Sequence, residues 1–253
     1  MRRCHMRIEL MFELAKIGEI PMDYRRIFLA FLKNAIVKIN RPEYYDKYFG
    51  TTNSKDYSFT VIFEKPIFRN DVIQVEGKNM RMIFSADDKN NTGLIFMNAF
   101  IAQKNKAFPL QDGNAMILKN LRRMKEKNII NSKVIFKTMA GSGVVTRLHK
   151  REGNKDKYYV LGEEGAEKQL QYVLKEQLQN AGFRVEDAEN IQVKPIQCKK
   201  VISRYYNGYI DSTVGMFEMQ GKPKVLQYLY MAGMGSRHSS GYGLLDLVTQ
   251  DLL

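Results

Sequence analysis

Two hydrophobic periods, two and about 3.6 residues, alternate along this chain in a fixed order, and that order limits the folds open to it. Residues 7–15 read RIELMFELA, with Ile8, Leu10, Phe12 and Leu14 on one face of a half-buried strand. Pro21 and Asp23 open a helix: Asp23 is the expected N-cap, and Ile27, Phe28, Phe31, Leu32, Ala35 and Ile36 recur at helical spacing. After the Arg41-Pro42 break come YYDKYFG and YSFTVIF, the latter a strand of aromatic and β-branched residues. Shorter strands are expected near Val72–Val75 and Met80–Ser85, a second helix from Asp87-Asp88 to about Gln103, and a fourth strand over Asn114–Leu121. The order is β-α-β-β-α-β, the split ferredoxin-like pattern.

The second half repeats the pattern without repeating the sequence. Strands are expected at Lys133–Lys137 and Val144–Leu148, with Lys157–Leu161 closing a hairpin across the polar KREGNKDK turn. An amphipathic helix runs from Gly165 to Leu178, then strands around Ile191–Val201 and Tyr209–Met219, a helix from Pro223 to about Met231, and a last strand near Tyr242–Val248. The expected class is therefore α+β: two tandem ferredoxin-like (RRM-like) βαββαβ modules, 1–130 and 131–253. No low-complexity linker separates them, so they are expected to pack together. Such modules serve many purposes, and the aromatic strand motif of the RNA-recognition fold is not evident here.

Charge narrows the choice. Forty Lys+Arg against 27 Asp+Glu give +13 over 253 residues, the balance expected of a protein whose partner carries phosphates. No strongly basic amphipathic helix or run of roughly 18 apolar residues is present, which argues against a membrane. The N-terminus lacks the pattern of a secretory signal, and Cys4 and Cys198 stand apart with no zinc-ligand spacing. A cytoplasmic protein is expected, with no metal site and no cofactor. The acidic pairs Asp87-Asp88 and Glu163-Glu164 read as helix N-terminal charges. The helix after Gly165 mixes Lys168 and Lys175 with Glu163, Glu164, Glu167 and Glu176, the composition of a solvated face.

Near the C-terminus the chain reads AGMGSRHSSGYGLL. Gly233, Gly235, Gly241 and Gly243 form G-x-G-x5-G-x-G, with Arg237 and His238 inside it. Glycines let a backbone turn through positive φ and bring N–H groups close to phosphate oxygens, and Arg237 adds a forked cation. The spacing is neither the dinucleotide G-x-G-x-x-G nor a P-loop. A glycine-rich helix-to-strand connection that merely needs tight turns would look the same.

This loop, placed between a helix and the last strand of a second ferredoxin-like module, resembles the glycine-rich signature of the RAMP superfamily. More narrowly, the chain resembles the CRISPR repeat-processing endoribonucleases. MRIELMFEL, IPMDYRRIFLAFLKNAI, YSFTVIF and FKTMAGSGVVTRLH look like that family as well. The resemblance implies metal-independent cutting of precursor CRISPR RNA within each repeat. The RNA's own 2′-hydroxyl attacks the adjacent phosphate, leaving a 2′,3′-cyclic phosphate and a 5′-hydroxyl. It implies repeat RNA as partner, with effector-complex subunits or a second copy of the chain as further candidates.

The family's usual histidine position falls here on Tyr48, its lysine on Lys55 and its helix tyrosine on Lys33; residues 6–148 contain no histidine. The reaction would then run by positioning and charge through Tyr48, Lys33 and Lys55, or use a histidine from elsewhere, His149 or His238. Otherwise the protein binds repeat RNA without cutting it, as a RAMP subunit would. Strand alternation puts Arg147 and His149 on one face. The expected RNA-binding set is Arg147 with Gly233, Gly235, Arg237, His238, Gly241 and Gly243.

Overall fold

The computed structural model describes residues 5–51, 53–150, 152–206 and 208–251. Its elements are β1 (Met6–Leu14), β2 (Glu19–Pro21), α1 (Tyr24–Lys38), α2 (Pro42–Tyr45), β3 (Tyr57–Phe63), β4 (Pro66–Phe68), β5 (Val72–Val75), β6 (Asn79–Ala86), α3 (Thr92–Gln103), β7 (Ala107–Pro109) and β8 (Ala115–Met124). The second half follows with β9 (Lys133–Thr138), β10 (Thr146–Lys150), β11 (Lys155–Tyr159), α4 (Ala166–Asn180), α5 (Val185–Glu189), β12 (Gln192–Tyr205), β13 (Gly208–Gln220), α6 (Pro223–Ala232) and β14 (Leu245–Thr249).

In the first sheet the order is β3-β6-β1-β8-β7, and in the second β12-β13-β9-β14. Numbering the four principal strands of each half by appearance, both sheets read second, third, first, fourth, with antiparallel neighbours. This is the tandem ferredoxin-like fold. Two small additions decorate it, the β2-β5-β4 sheet in the first half and the β10-β11 hairpin in the second.

Alternation explains how the halves join. On β1, Ile8, Leu10, Phe12 and Leu14 enter the core beneath α1 and α3, beside Phe28, Phe31, Phe96 and Phe100. The intervening residues face the other way, where the second module lies. Arg7, buried there, donates to the Tyr230 hydroxyl and carbonyl and to the Leu245 carbonyl (3.1, 2.9 and 3.1 Å). Desolvation lowers its pKa, yet the carbonyls satisfy the guanidinium. On β3, Ser58 and Thr60 reach the carbonyls of Tyr242 and Ala140 (2.7 and 2.6 Å). Helix α6 is buried from Val225 through Ala232 and meets β3 and β6 of the first sheet as well as β14 of its own.

Local details depart from the sequence reading. Asp23 precedes α1 but makes no cap bond; its carboxylate accepts the Tyr206 N–H (2.8 Å) and pairs with Arg26, fastening the tip of the β12-β13 hairpin to the first module. Helix α3 begins at Thr92, so Asp87 is not a dipole charge; it is buried beside the His5 imidazole at 3.1 Å. The side chain of Asp88 and residues 1–4 lie outside the described residues. Glu163 accepts the Val160 N–H (3.2 Å) rather than facing the first turn of α4.

Candidate functional site

The glycine loop joins α6 to β14, and the structure corrects what its glycines do. All four are buried, with φ between +67° and +92°. Their N–H groups are spent inside the protein: Gly233 donates to the Leu229 carbonyl, Gly235 to Gln177 Oε1, Gly241 to the His238 carbonyl and Gly243 to the Gly143 carbonyl. A Cβ on Gly233 would meet that of Ser58 at 2.5 Å, across the module joint. The glycines permit close packing; they do not hold out a phosphate cradle.

His238 is also inside, 5% exposed. Its Nδ1 lies 3.0 Å from the Tyr57 carbonyl, which only accepts, so Nδ1 carries the proton and Nε2 accepts from the Ser54 hydroxyl (3.1 Å). Burial lowers its pKa, keeping the ring neutral. It fastens the loop to the first module and is almost wholly covered, leaving little of the ring for the phosphate contact expected from the sequence. Of the loop's candidate residues, Arg237 is the one that is not buried. Its φ is +57°, its Cζ lies 5.0 Å over the Tyr205 ring, and its Nη2 is 3.5 Å from Asp156.

Asp156 is the residue the sequence reading missed. Its carboxylate accepts from His149 Nδ1 (2.8 Å), Arg147 Nη1 (3.2 Å), the Tyr158 hydroxyl (3.2 Å) and Arg237 Nη2 (3.5 Å). Partial burial pushes this carboxyl up, but the His149 bond, the Arg147 charge, Tyr158 and Arg237 together hold it below its ordinary value. The signal was available: closing the hairpin over its polar turn sets His149 directly opposite Asp156 and Arg147 opposite Tyr158.

Of these groups Arg147, His149 and Arg237 border a cavity of about 620 Å³ between the β10 face, the glycine loop and α4. A second cavity of about 400 Å³ adjoins it and shares Asn53, Ser54 and Asn180, so the two form one cleft along the module joint. Lys47, Lys55 and Lys89 line the second cavity with Asp56, Asp87 and Tyr228. The helix expected to be merely solvated instead forms a wall: Gln169, Tyr172, Glu176 and Asn180 of α4 line the cleft.

The family-derived positions fall at this second cavity, but not as a set. Tyr48 is 2% exposed, packed on Phe96 and Tyr57 (5.0 and 6.1 Å). Thr92 donates its one hydroxyl proton to Asp56 (2.9 Å), so Tyr48 donates to Thr92 (2.9 Å). Lys55 donates to the carbonyls of Lys47 and Thr51 (both 3.1 Å) and to the Thr51 hydroxyl (2.9 Å), capping the helical turn Asp46–Gly50. Desolvation lowers its pKa. Lys33 is exposed on α1, its Nζ 5.8 Å from the Phe49 ring, outside the residues that line the cleft. Among the described residues, no three His, Cys, Asp or Glu side chains gather as a metal site would require.

Residues 124–247 match the family model of CRISPR associated protein Cas6, C-terminal. That stretch, the second module, is the Cas6 C-terminal domain. Solved structures carry the likeness across both modules. A Cas6-related protein from Pyrococcus furiosus is 20% identical, with a TM-score of 0.81 over 98% of this chain and 100% of that one. A RAMP protein that binds different RNA substrates gives 0.80 at 18% identity, over 97% and 100%. A CRISPR associated protein Cas6 gives 0.72 at 18%, again over 97% and 100%. At these identities the structural matches speak for the fold alone. No curated protein sequence matches the chain.

Proposed function

We propose that this chain is a CRISPR repeat-RNA endoribonuclease of the cytoplasm, working without a metal through the RNA's own 2′-hydroxyl. The observation that carries the reading is the cleft along the module joint, with the Asp156-held His149 and Arg147 and Arg237 at one end and Lys47 and Lys89 in the adjoining cavity. With Nδ1–H given to Asp156, His149 keeps Nε2 for proton transfer, taking the 2′ proton or protonating the departing 5′-oxygen. The 2′-oxygen bonds to phosphorus as the phosphorus–5′-oxygen bond breaks. The arginines and lysines offset the charge that gathers on the non-bridging oxygens. The reading assigns the modules to 1–130 and 131–253, with effector-complex subunits or a second copy as protein partners.

A second reading, repeat-RNA binding without cleavage, draws support from Tyr48 and Lys55. One is a core residue and the other a helix cap, so neither stands ready at a scissile phosphate.

The test is gel analysis of the purified protein with its genome's own repeat RNA in excess EDTA, beside a substrate with a 2′-deoxy group at the cut. A single cut leaving a cyclic phosphate, abolished by the 2′-deoxy group and slowed about a hundredfold in His149→Ala, is expected. Tight binding without a cut favours the second reading, and neither binding nor cutting overturns both.

A further inference from the structure

We propose that the cavity beside α4 receives a single unpaired nucleotide of the RNA, its base against the Tyr172 ring and its phosphate between Arg147 and Arg237. The inference rests on the RNA reading above and adds the state of the strand, single rather than paired, at this point of the cleft.

The two walls of the cavity differ in the way a nucleotide does. On the hairpin and loop side stand Arg147, Arg237 and His149, gathered around one carboxylate. Arg237 lines the cavity, and its buried Nε has no hydrogen-bond acceptor among the described residues, so the protein leaves part of this guanidinium unpaired. On the α4 side stand Tyr172, Glu176 and Asn180, successively four residues apart in sequence and so on one helix face. Glu176 repels a phosphate from that side and accepts from the exocyclic amino group of a base, so it orients the ligand rather than competing with the arginines. The Asn180 amide offers a donor and an acceptor to a base edge.

Tyr172 is 57% exposed. A lone exposed tyrosine on a convex surface means little, but this one lines a concave site whose far wall is cationic. About 620 Å³ falls in the ~300–1,000 Å³ range of small-ligand sites. A base in a duplex has both faces stacked and its edge paired, so only an unpaired one can turn into such a recess. Stacking on an aromatic ring tolerates any base, which suits a grip on strand state more than on sequence.

The experiment measures fluorescence anisotropy of a labelled 12-mer of adenosines, alone and annealed to uridines, with wild type, Tyr172→Ala and Tyr172→Phe. Loss of one stacking partner predicts about tenfold weaker binding of the single strand by Tyr172→Ala, with Tyr172→Phe within about twofold of wild type. Binding of the duplex is expected to be unchanged. Equal single-strand affinity for Tyr172→Ala and wild type, each melting alike, overturns the inference, as does a loss shared by the duplex or by Tyr172→Phe. The cleavage assay fails separately: no cut in repeat RNA with the Tyr172 effect intact sinks the endonuclease and leaves this site standing. A repeat cut with no Tyr172 effect does the reverse.

Discussion

Replacing Gly243 by alanine separates a packing role for the glycine loop from a ligand-facing one. Gly243 has φ +67°, and a Cβ there would lie 2.0 Å from the Met234 carbonyl oxygen and 2.9 Å from its nitrogen. Both are backbone atoms, and the Met234 N–H donates back to the Gly243 carbonyl at 2.8 Å, so neither arm of the loop can withdraw without breaking the pair. The left-handed conformation costs alanine about 1–2 kcal/mol, and the forced shift of a packed backbone about 1–3 kcal/mol more. The sum, about 2–5 kcal/mol, lowers the melting temperature of a chain this size by on the order of 10 °C. Gly113 is the control: its φ is +65° and nothing lies within 4 Å of the added carbon, so only the conformational cost applies, roughly 2–8 °C. Thermal melts followed by circular dichroism, with RNA affinity measured alongside, read both effects. Gly243→Ala melting with wild type while losing RNA affinity would refute the packing argument and restore the phosphate cradle.

Two other outcomes follow from the site. The buried His238 ring resists protonation, while the unfolded chain takes up a proton as pH falls through about 6.5. Stability should therefore fall with pH from about 6.5 toward the lower folded value, by up to ~1.4 kcal/mol per pH unit, and His238→Gln should flatten that slope in urea titrations. If Arg147 meets a phosphate, Arg147→Ala should reduce the slope of log affinity against log salt by about 0.7 for a single strand; an unchanged slope removes it from the interface.

The fold was legible because its determinants are local and periodic. The alternation of Ile8, Leu10, Phe12 and Leu14 and the helical spacing of Phe28, Phe31, Leu32 and Ala35 fix which face each element buries, and the fourfold strand order follows from pairing those faces. The site was legible only in part, because its groups meet through tertiary contacts that no spacing encodes. Strand alternation and the loop motif single out Arg147, His149 and Arg237, which the structure gathers around Asp156. His238 was misjudged because the Tyr57 carbonyl and Ser54 that hold it come from the other module, 181 and 184 residues away. The glycines were misjudged for the same reason: Gly233 is small because Ser58 is close. The wall made by α4 was hidden by its acidic composition, which says how the helix is solvated but not what its exposed face overlooks.

Helix α6 has a consequence for any attempt to work with half of the molecule. A helix resting on one sheet keeps a polar side for water, yet α6 has none from Val225 to Ala232, because the first module's sheet takes the place of solvent. A fragment beginning near 131 would bare Tyr230 and the rest of that face, and would lack the Arg7 guanidinium that answers its carbonyls. Such a half should come out of expression insoluble or self-associated, while the intact chain melts in one transition. The repeated fold, for all its internal symmetry, behaves as an indivisible unit.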